Sequence, residues 1–397
     1  MQGSERTPPR VAFVNGGILG LGVYADWLRR TFPDDRDIHA EHFVLTETLT
    51  PGERAIRRVM CQRFWPDPDG YANFDLARFR QELHAGVQAR RRLLARGLER
   101  FDVLHFHRQA TAYASLDLMA RLPSIVSIDC TQSCAMQSMS GRLERRTLGP
   151  NVRRDGEVFR RAAAIVTTSQ WAERELRREY PDCDTPIHVL YPPVRMEAFD
   201  AAWIDQRYAH ASQGAVPQLL FVGGDFPRKG GYDLLRAWTE GAFHSRAELC
   251  LVTDWPLVDP LPPGVRVVRG VRAYTPSWVA LWRSADVFVL PTHNEAFGLV
   301  YQEAAVAGLP AIGSDLNAVP EIIRRDRTGL LVKPGDDAAL IQAIERLIAS
   351  PALRRDMGRA ACAAVGQDAA PELHRRRLLD LIEAVRLAGP PARSRTS

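Results

Sequence analysis

Two glutamates that are separated by seven residues occur where a strand-like run passes into an apolar helical pattern. Glu295 lies in the polar loop after Val287–Pro291, and Glu303 lies in the helix that begins near Gly298. A carboxylate on a buried helix requires hydrogen-bond donors, and a ligand diol would supply two of them to Glu303. The first turn of a helix also has N–H groups without an intrahelical partner, which here belong to Phe297, Gly298 and Leu299. The alternative is two unrelated glutamates on a surface helix.

A glycine-rich turn with two cations precedes another helical pattern. The strand before it ends in Gly223 and Gly224, and Arg228 and Lys229 stand just before the helix. Among 52 basic residues, only Lys229 and Lys333 are lysines, so a lysine is a rare choice in this chain. Because a helix N-terminus favours an anion, the turn indicates a phosphate site. A solvated basic turn is the alternative.

A second glycine-rich turn follows the first strand-like run of the chain. Gly16 and Gly17 stand after Asn15 and before a helical pattern, where glycines let a phosphate-bearing ligand approach backbone N–H groups. A tight turn without a ligand is the alternative. The spacing does not match G-x-G-x-x-G, which disfavours a nicotinamide oxidoreductase.

Two histidines end the strand-like run Asp102–His107. Strand alternation places His105 and His107 on one face. They could form a metal pair, line a cleft or lie in the core as satisfied buried histidines, and these three interpretations stay open. The D-x-D pattern occurs three times in turn-like surroundings, which shows how unspecific it is, so we assign no metal.

These candidate residues are carried by two similar halves of the chain. Short apolar runs alternate with amphipathic helical patterns, which predicts βαβ units and parallel sheets. The alternation stops at Tyr191 and is irregular to Pro217, and then it resumes. We therefore expect an α/β fold of two domains at residues 1–195 and 196–372, followed by a last helix and a disordered tail at 373–397.

Composition excludes several classes of protein. The chain has 397 residues, 46% of them apolar and 25% charged, and a net charge of +5, the balance of an ordinary globular protein. The charge is too small and too dispersed for a nucleic-acid binder. The six scattered cysteines show no metal-site spacing, and no apolar run reaches the ~20 residues of a membrane span. We expect a cytoplasmic protein.

One basic amphipathic segment, Arg78–Arg100, leaves a membrane contact open. Such a helix can lie on an anionic membrane surface at the inner face of the membrane. A solvated face of a globular domain is the other interpretation.

The chain resembles the retaining glycosyltransferases of family 4, which have the GT-B fold. Glu295 and Glu303 form the E-x7-E pattern of that family. The resemblance continues through Gly308-Leu309-Pro310, Pro320-Glu321-Ile322 and Gly329–Val332. It implies two Rossmann-like domains that face each other across a cleft, with the C-terminal helix crossing back to the N-terminal domain. The first domain would take the acceptor and the second the nucleotide-sugar donor.

The resemblance also implies roles for particular residues. Glu295 would lie near the transferred sugar, and Glu303 would bind the nucleotide ribose. Backbone groups of Phe297, Gly298 and Leu299 would contact sugar and phosphate, with Gly16, Gly17 and Gly224 as further donor-binding residues. Lys229 aligns with the family's basic pair at the diphosphate, so Lys229, Arg228 and Glu295 are the predicted catalytic residues.

Two positions depart from the family pattern. Gly224 stands where the family has an arginine, and Arg228 would substitute for it from a neighbouring position. Asp129 stands where many members have histidine, so the predicted acceptor-side residues are His107 and Asp129.

The predicted activity is transfer of a sugar from a nucleotide-sugar, with retention and without a cofactor or metal. The acceptor would be a carbohydrate, a lipid-linked or a small molecule, and the pathway surface polysaccharide or glycolipid assembly. The alternatives are a non-catalytic nucleotide-sugar-binding protein and a GT-B-type sugar-nucleotide epimerase.

Overall fold

The computed structural model describes residues 7–16, 21–46, 50–62, 64, 76–132, 146–194, 197–209, 216–258 and 260–391. The chain forms two compact units. Unit 1 comprises Met1–Pro192 and Glu372–Ser397, and unit 2 comprises Pro193–Pro371. Each unit is built around one parallel six-stranded sheet.

The sheet of unit 1 has the strand order β2-β1-β3-β4-β5-β6. Its strands are β1 (Arg10–Asn15), β2 (His39–Val44), β3 (Val103–His107), β4 (Ser124–Ile128), β5 (Ala164–Thr167) and β6 (Ile187–Val189). Its helices include α1 (Leu21–Thr31), α2 (Pro51–Cys61), α3 (Ala77–Arg96), α4 (Leu116–Met119), α5 (Gly149–Arg161) and α6 (Gln170–Glu179). The order reverses between β1 and β3, and ligands of doubly wound sheets bind at such a switch point, beyond the carboxyl ends of the strands.

The C-terminal helix α14 (Pro371–Ala388) belongs to the core of unit 1. Its apolar face packs on the sheet face formed by β1, β3 and β4, through Leu378, Leu381, Ile382 and Val385. Arg375 donates to the Thr31 carbonyl at 3.0 Å and pairs with Asp35 at 3.3 Å. The predicted return of the last helix to the N-terminal domain is confirmed.

The sheet of unit 2 has the order β12-β11-β10-β7-β8-β9, the 3-2-1-4-5-6 order of a Rossmann fold when numbered within the unit. Its strands are β7 (Gln218–Val222), β8 (Glu248–Val252), β9 (Val265–Val268), β10 (Val287–Leu290), β11 (Ala311–Ser314) and β12 (Gly329–Val332). Its helices include α7 (Ala201–Ala209), α8 (Gly231–Glu240), α9 (Pro276–Ser284), α10 (Leu299–Val306), α11 (Val319–Ile322), α12 (Asp337–Ala349) and α13 (Pro351–Asp368). Here the switch point lies between β7 and β10, which pair directly.

The two Rossmann-like sheets confirm the predicted fold class. Strands β3, β4, β5 and β10 are buried along their whole length, as expected for parallel strands covered by helices on both faces. The helix Ala201–Ala209 lies in the stretch predicted to be irregular, so that prediction is wrong. Residues 392–397 of the predicted disordered tail lie outside the described part of the chain. Among the described helices, none is long and apolar enough to cross a bilayer.

Candidate active site

Two loops meet at the switch point of unit 2. The loop after β7 runs from Gly223 to Gly230, and the loop after β10 runs from Pro291 to Gly298. Both leave the carboxyl ends of neighbouring parallel strands, which is where Rossmann-like sheets bind their ligands. All predicted donor-side residues of the second half lie in these loops or in the first two turns of the helices that follow them.

Two glycines with positive φ shape these loops. Gly230 has a φ of 73°, and a side chain at this position would collide with the Pro291 carbonyl of the other loop. Gly298 has a φ of 96° and caps the start of α10. Glycine adopts such backbone conformations without the steric penalty that other residues incur. The two loops therefore approach each other backbone to backbone.

Hydrogen bonds of Arg228 join the same two loops. Its carbonyl accepts from the His293 N–H at 2.8 Å and from the Thr292 hydroxyl at 3.1 Å. Its guanidinium donates from Nη1 to the Asn294 carbonyl at 2.8 Å and from Nε to Asp225 Oδ2 at 2.8 Å. Arg228 thus fixes the loop that carries Glu295, while its side chain remains 43% exposed.

Lys229 and Glu295 form an ion pair between the loops. Nζ of Lys229 donates to Oε2 of Glu295, and the two side chains are only 16% and 14% exposed. The lysine stem packs on Gly223, since a Cβ added there would lie 3.2 Å from Cβ and Cγ of Lys229. The Glu295 carbonyl also accepts from Asn317 Nδ2 at 3.0 Å. The ammonium and carboxylate groups are therefore held in place before any ligand binds.

Glu303 lies on α10, one turn beyond the loop. The residue is only 9% exposed, and its Oε1 accepts from the Tyr274 hydroxyl at 3.0 Å. Burial raises the pKa of Glu303 to about 7, and the tyrosine hydrogen bond opposes that rise. Because the pKa of the Glu303 carboxyl lies near neutral pH and Tyr274 bonds only one of its oxygens, further hydroxyl donors would stabilise its ionised form.

The remaining donor-side residues lie around these two glutamates. Phe297 is buried, Gly298 caps α10 and Leu299 begins it, so the helix start adjoins the Lys229–Glu295 pair in sequence and space. A Cβ added at Gly224 would meet no atom within 4 Å in the part of the chain that the structure describes. Gly224 thus borders open space at the end of β7.

The predicted residues of unit 1 lie at the carboxyl edge of its sheet. Gly16 follows β1, His107 ends β3 in register with Asn15, and Asp129 follows β4. His107 is buried against the Tyr24 ring at 4.3 Å between ring centroids, and burial lowers its pKa to about 3. Asp129 Oδ1 accepts from the Cys130 N–H at 2.9 Å. Gly17 lies outside the described residues.

His105 is a buried core histidine, and only one of its ring nitrogens has a hydrogen-bond partner among the described residues. Its Nε2 lies 2.6 Å from the Ser127 hydroxyl, and its side chain is fully buried. The burial of both histidines favours a place in the core, although Nδ1 of each has no hydrogen-bond partner among the described residues. In the described ranges, no three His, Cys, Asp or Glu side chains are grouped so that they could hold a metal ion.

Sequence reasoning missed several partners of these residues. Tyr274 supports Glu303 and has a φ of 63°, which is unusual for a non-glycine residue. Asn317 supports Glu295 with a φ of 49°, a conformation that asparagine tolerates. The His293 ring lies 2.6 Å from the buried carboxylate of Asp233 on α8, and it links both loops to that helix. Of these residues, only Asn317 could have been suspected from the sequence, because asparagine is enriched at positions with positive φ.

Two family descriptions match the chain. Residues 22–198 match "Glycosyltransferase Family 4", and residues 216–350 match "Glycosyl transferases group 1". The first range falls mostly in unit 1 and the second in unit 2, so each Rossmann-like half carries its own match. The chain therefore belongs to the family 4 glycosyltransferases, a family of retaining GT-B enzymes.

Relatives with established names agree with this assignment. D-inositol 3-phosphate glycosyltransferase of Streptomyces avermitilis is 30% identical over 66% of this chain, and glycogen synthase of Mycobacterium tuberculosis is 26% identical over 70%. The aligned part of the chain covers 61% of the length of the Streptomyces protein and 68% of the mycobacterial one.

Solved structures with the same fold cover almost the whole chain. Sucrose-phosphate synthase from Thermosynechococcus elongatus has a TM-score of 0.69 at 19% identity and covers 96% of this chain and 100% of its own. HepE from Anabaena, solved in complex with UDP and glucose, has a TM-score of 0.63 at 13% identity and covers 95% and 100%. At these identities the similarity establishes the GT-B fold.

Proposed function

We propose that the chain transfers a sugar from a nucleotide-sugar donor to an acceptor hydroxyl, with retention at the anomeric carbon. The observation that carries the proposal is the Lys229–Glu295 pair at the switch point of unit 2, beside the start of α10. Membership of the family supports the class of reaction. The geometry supports a donor site with three parts, which would contact the diphosphate, the transferred sugar and the ribose.

The diphosphate end would be stabilised by positive charge and backbone dipoles. Arg228 and Lys229 lie in the loop after β7, Gly224 borders open space, and the N-terminus of α10 favours an anion. Cleavage of the donor leaves negative charge on the β-phosphate, and fixed donors that face this charge lower the barrier. This arrangement needs no metal ion for the leaving group.

The ribose and sugar ends would use one glutamate each. Glu303 would accept hydrogen bonds from the ribose hydroxyls, with Tyr274 holding its other oxygen. Glu295 would lie at the transferred sugar, together with backbone groups of Phe297, Gly298 and Leu299. These roles rest on the motif positions and on the contacts of the two carboxylates.

A uridine nucleotide is the first donor to test. HepE, which shares the fold, has been solved in complex with UDP and with UDP-glucose. The acceptor would bind at the carboxyl edge of unit 1, where His107 and Asp129 lie. Gly16, which follows β1, and Gly17, which is next in the chain, would contact the donor. Surface polysaccharide or glycolipid assembly is the proposed context, with the protein in the cytoplasm.

A thermal-shift screen tests the proposal. UDP, GDP, ADP and their sugars are added to the full chain, once with EDTA and once with Mg²⁺, and donor turnover is followed as release of the nucleoside diphosphate. A ligand at ~100 times its Kd stabilises by about 2.7 kcal/mol. We expect one nucleotide to stabilise equally in both buffers. Stabilisation without turnover in the presence of acceptor extracts would favour the binding-protein alternative, and isomerisation of the sugar would favour an epimerase.

Nucleotide affinity should depend on pH through Glu303. The pKa of this carboxyl in the free protein is about 7, and only its ionised form accepts from two ribose hydroxyls. Binding below pH 7 must therefore first remove a proton, so Kd for UDP should rise up to about tenfold for each pH unit of acidification. Above that pH the dependence should vanish. Calorimetry of UDP binding across this range measures the effect.

Glu303→Gln is the matched control, because UDP itself also titrates. The slope of log Kd against pH is measured for wild type and for the variant, and the difference between the two slopes is the contribution of Glu303. Equal slopes would contradict the assignment of Glu303 to the ribose. A folded-state pKa raised from 4.5 to about 7 means that ionised Glu303 destabilises the fold as pH rises through that interval. The variant should therefore be at least as stable as wild type at alkaline pH, which separates lost binding from lost folding.

A further inference from the structure

A side-chain contact beside the Lys229–Glu295 pair joins the loop after β10 to the helix α8. Nε2 of His293 lies 2.6 Å from Oδ2 of Asp233, which stands in the first turn of that helix. The Asp233 side chain is only 9% exposed, and its Oδ1 accepts from Arg236 Nη2 at 2.5 Å. In the described part of the chain, Oδ2 has no partner besides the imidazole. The carboxylate is therefore fixed on the helix and has one oxygen left for the loop.

The Asp233–His293 contact and the Lys229–Glu295 pair join the same two segments with opposite polarity. Their members lie four residues apart at the start of α8 and two residues apart in the loop. The α8 side supplies the cation in one pair and the carboxylate in the other. A loop shifted along the helix would bring the carboxylates of Asp233 and Glu295 towards each other, and like charges repel. The two pairs together favour a single register of the loop.

Donor binding would weaken one of these two attachments. In the proposed reaction the Lys229 ammonium faces the diphosphate, so it would share its charge between the donor and Glu295. The segment around Glu295 then depends on its other contacts. Asn317, which follows β11, holds the Glu295 carbonyl at 3.0 Å, and the Asp233–His293 contact holds the preceding residues from the α8 side.

We propose that Asp233 and His293 are positioning residues that hold Glu295 at the transferred sugar while Lys229 serves the diphosphate. This inference rests on the proposed function. Asp233 is nearly buried and acts through His293, and His293 acts through the loop that it shares with Glu295. A misplacement of about 1 Å can cost about 10²-fold in rate. Loss of the contact should therefore appear in kcat rather than in nucleotide affinity.

Two substitutions of His293 in the full chain test the inference. A glutamine can donate an N–H to Asp233 as the imidazole does, whereas an alanine cannot. We expect His293→Ala to lower the kcat of UDP release from UDP-glucose by about 10- to 100-fold, and His293→Gln to stay within about threefold of wild type. Calorimetry should give a Kd for UDP within about twofold of wild type in both variants, because Glu303 and Lys229 are unchanged. Melting temperatures report whether each variant is folded.

A double variant tests whether His293 acts through Glu295. In a Glu295→Gln background, His293→Ala should lower kcat by less than about threefold, because the carboxylate that it positions is already absent. His244→Ala is the matched control, since it removes an exposed histidine beyond the C-terminal end of α8. Its kcat should lie within about twofold of wild type.

Several outcomes would overturn the inference. They are a wild-type kcat in His293→Ala, equal defects in the alanine and glutamine variants, and independent losses in the double variant. A loss of UDP affinity as large as the loss of kcat would show that the imidazole binds the donor directly.

An inactive wild type would contradict UDP-glucose as the donor rather than the positioning role. Amide hydrogen exchange of residues 292–298 in the free protein then decides. Exchange there should be at least about tenfold faster in His293→Ala and unchanged in His293→Gln. Unchanged exchange in His293→Ala would show that the contact does not hold the loop.

Discussion

Lys229→Ala should lower the turnover of the donor by about 10²–10³-fold, the loss typical of one preorganised donor to a developing negative charge. In the free protein the lysine stem packs on Gly223 and the ammonium pairs with Glu295, which holds the positive charge in the loop where the diphosphate would leave. Initial rates with saturating nucleotide-sugar measure the effect. The loss of turnover should exceed the loss of stability, although some fall in melting temperature is expected because the mostly buried Glu295 carboxylate loses its partner.

Lys333→Ala is the natural control for this variant, since it removes the other lysine of the chain from an exposed loop after β12. It should leave turnover within about twofold of wild type, as expected for a surface substitution. A kcat of Lys229→Ala equal to that of wild type would contradict the phosphate role. A large drop in melting temperature without the kinetic defect would mean that the Lys229–Glu295 pair is structural.

The contact between Lys229 and Glu295 shows where sequence reasoning stops. Each residue was identified from its own neighbourhood, a glycine-rich turn and a strand-to-helix loop. Their pairing depends on β7 lying directly beside β10, although 66 residues separate the two side chains. Strand order is a property of the whole sheet, and no local pattern encodes it.

Burial explains which elements were predicted. A strand with a continuous apolar run, such as β10, is predicted from the sequence because both its faces are covered. The edge strands β2 and β6 were missed, since one has a single buried residue and the other has none. Helix α2 is not predicted for a related reason, because none of its residues is buried and its apolar half does not pack in the core.

Glu303→Gln and Glu295→Gln should affect nucleotide binding in different ways. Glu303 would bind ribose hydroxyls that do not change during the reaction, so its loss should weaken UDP and UDP-sugar alike, by ~1–3 kcal/mol, and leave kcat unchanged. A glutamine keeps the size and one acceptor oxygen but loses the charge that makes such bonds strong. Calorimetry with UDP and with the sugar donor measures both affinities.

Glu295→Gln should lower kcat and leave UDP affinity intact or improved. The carboxylate would act at the sugar, where charge and geometry change during transfer, so its effect belongs to the transition state. Its removal also releases the Lys229 ammonium, which would then be available to the diphosphate without breaking an ion pair. The Kd of UDP should therefore rise in Glu303→Gln, and in Glu295→Gln it should fall or stay as in wild type.

Glu240→Gln on the exposed end of α8 serves as the control for loss of a negative charge in unit 2, and it should change neither kcat nor Kd. The decisive comparison is UDP binding set beside initial rates for the same two variants. If Glu295→Gln weakens UDP as much as Glu303→Gln does, both glutamates act on the nucleotide and the sugar end of the site lies elsewhere. If Glu303→Gln lowers kcat while UDP binds as in wild type, the buried glutamate acts on the transferred sugar, and the assigned roles are exchanged.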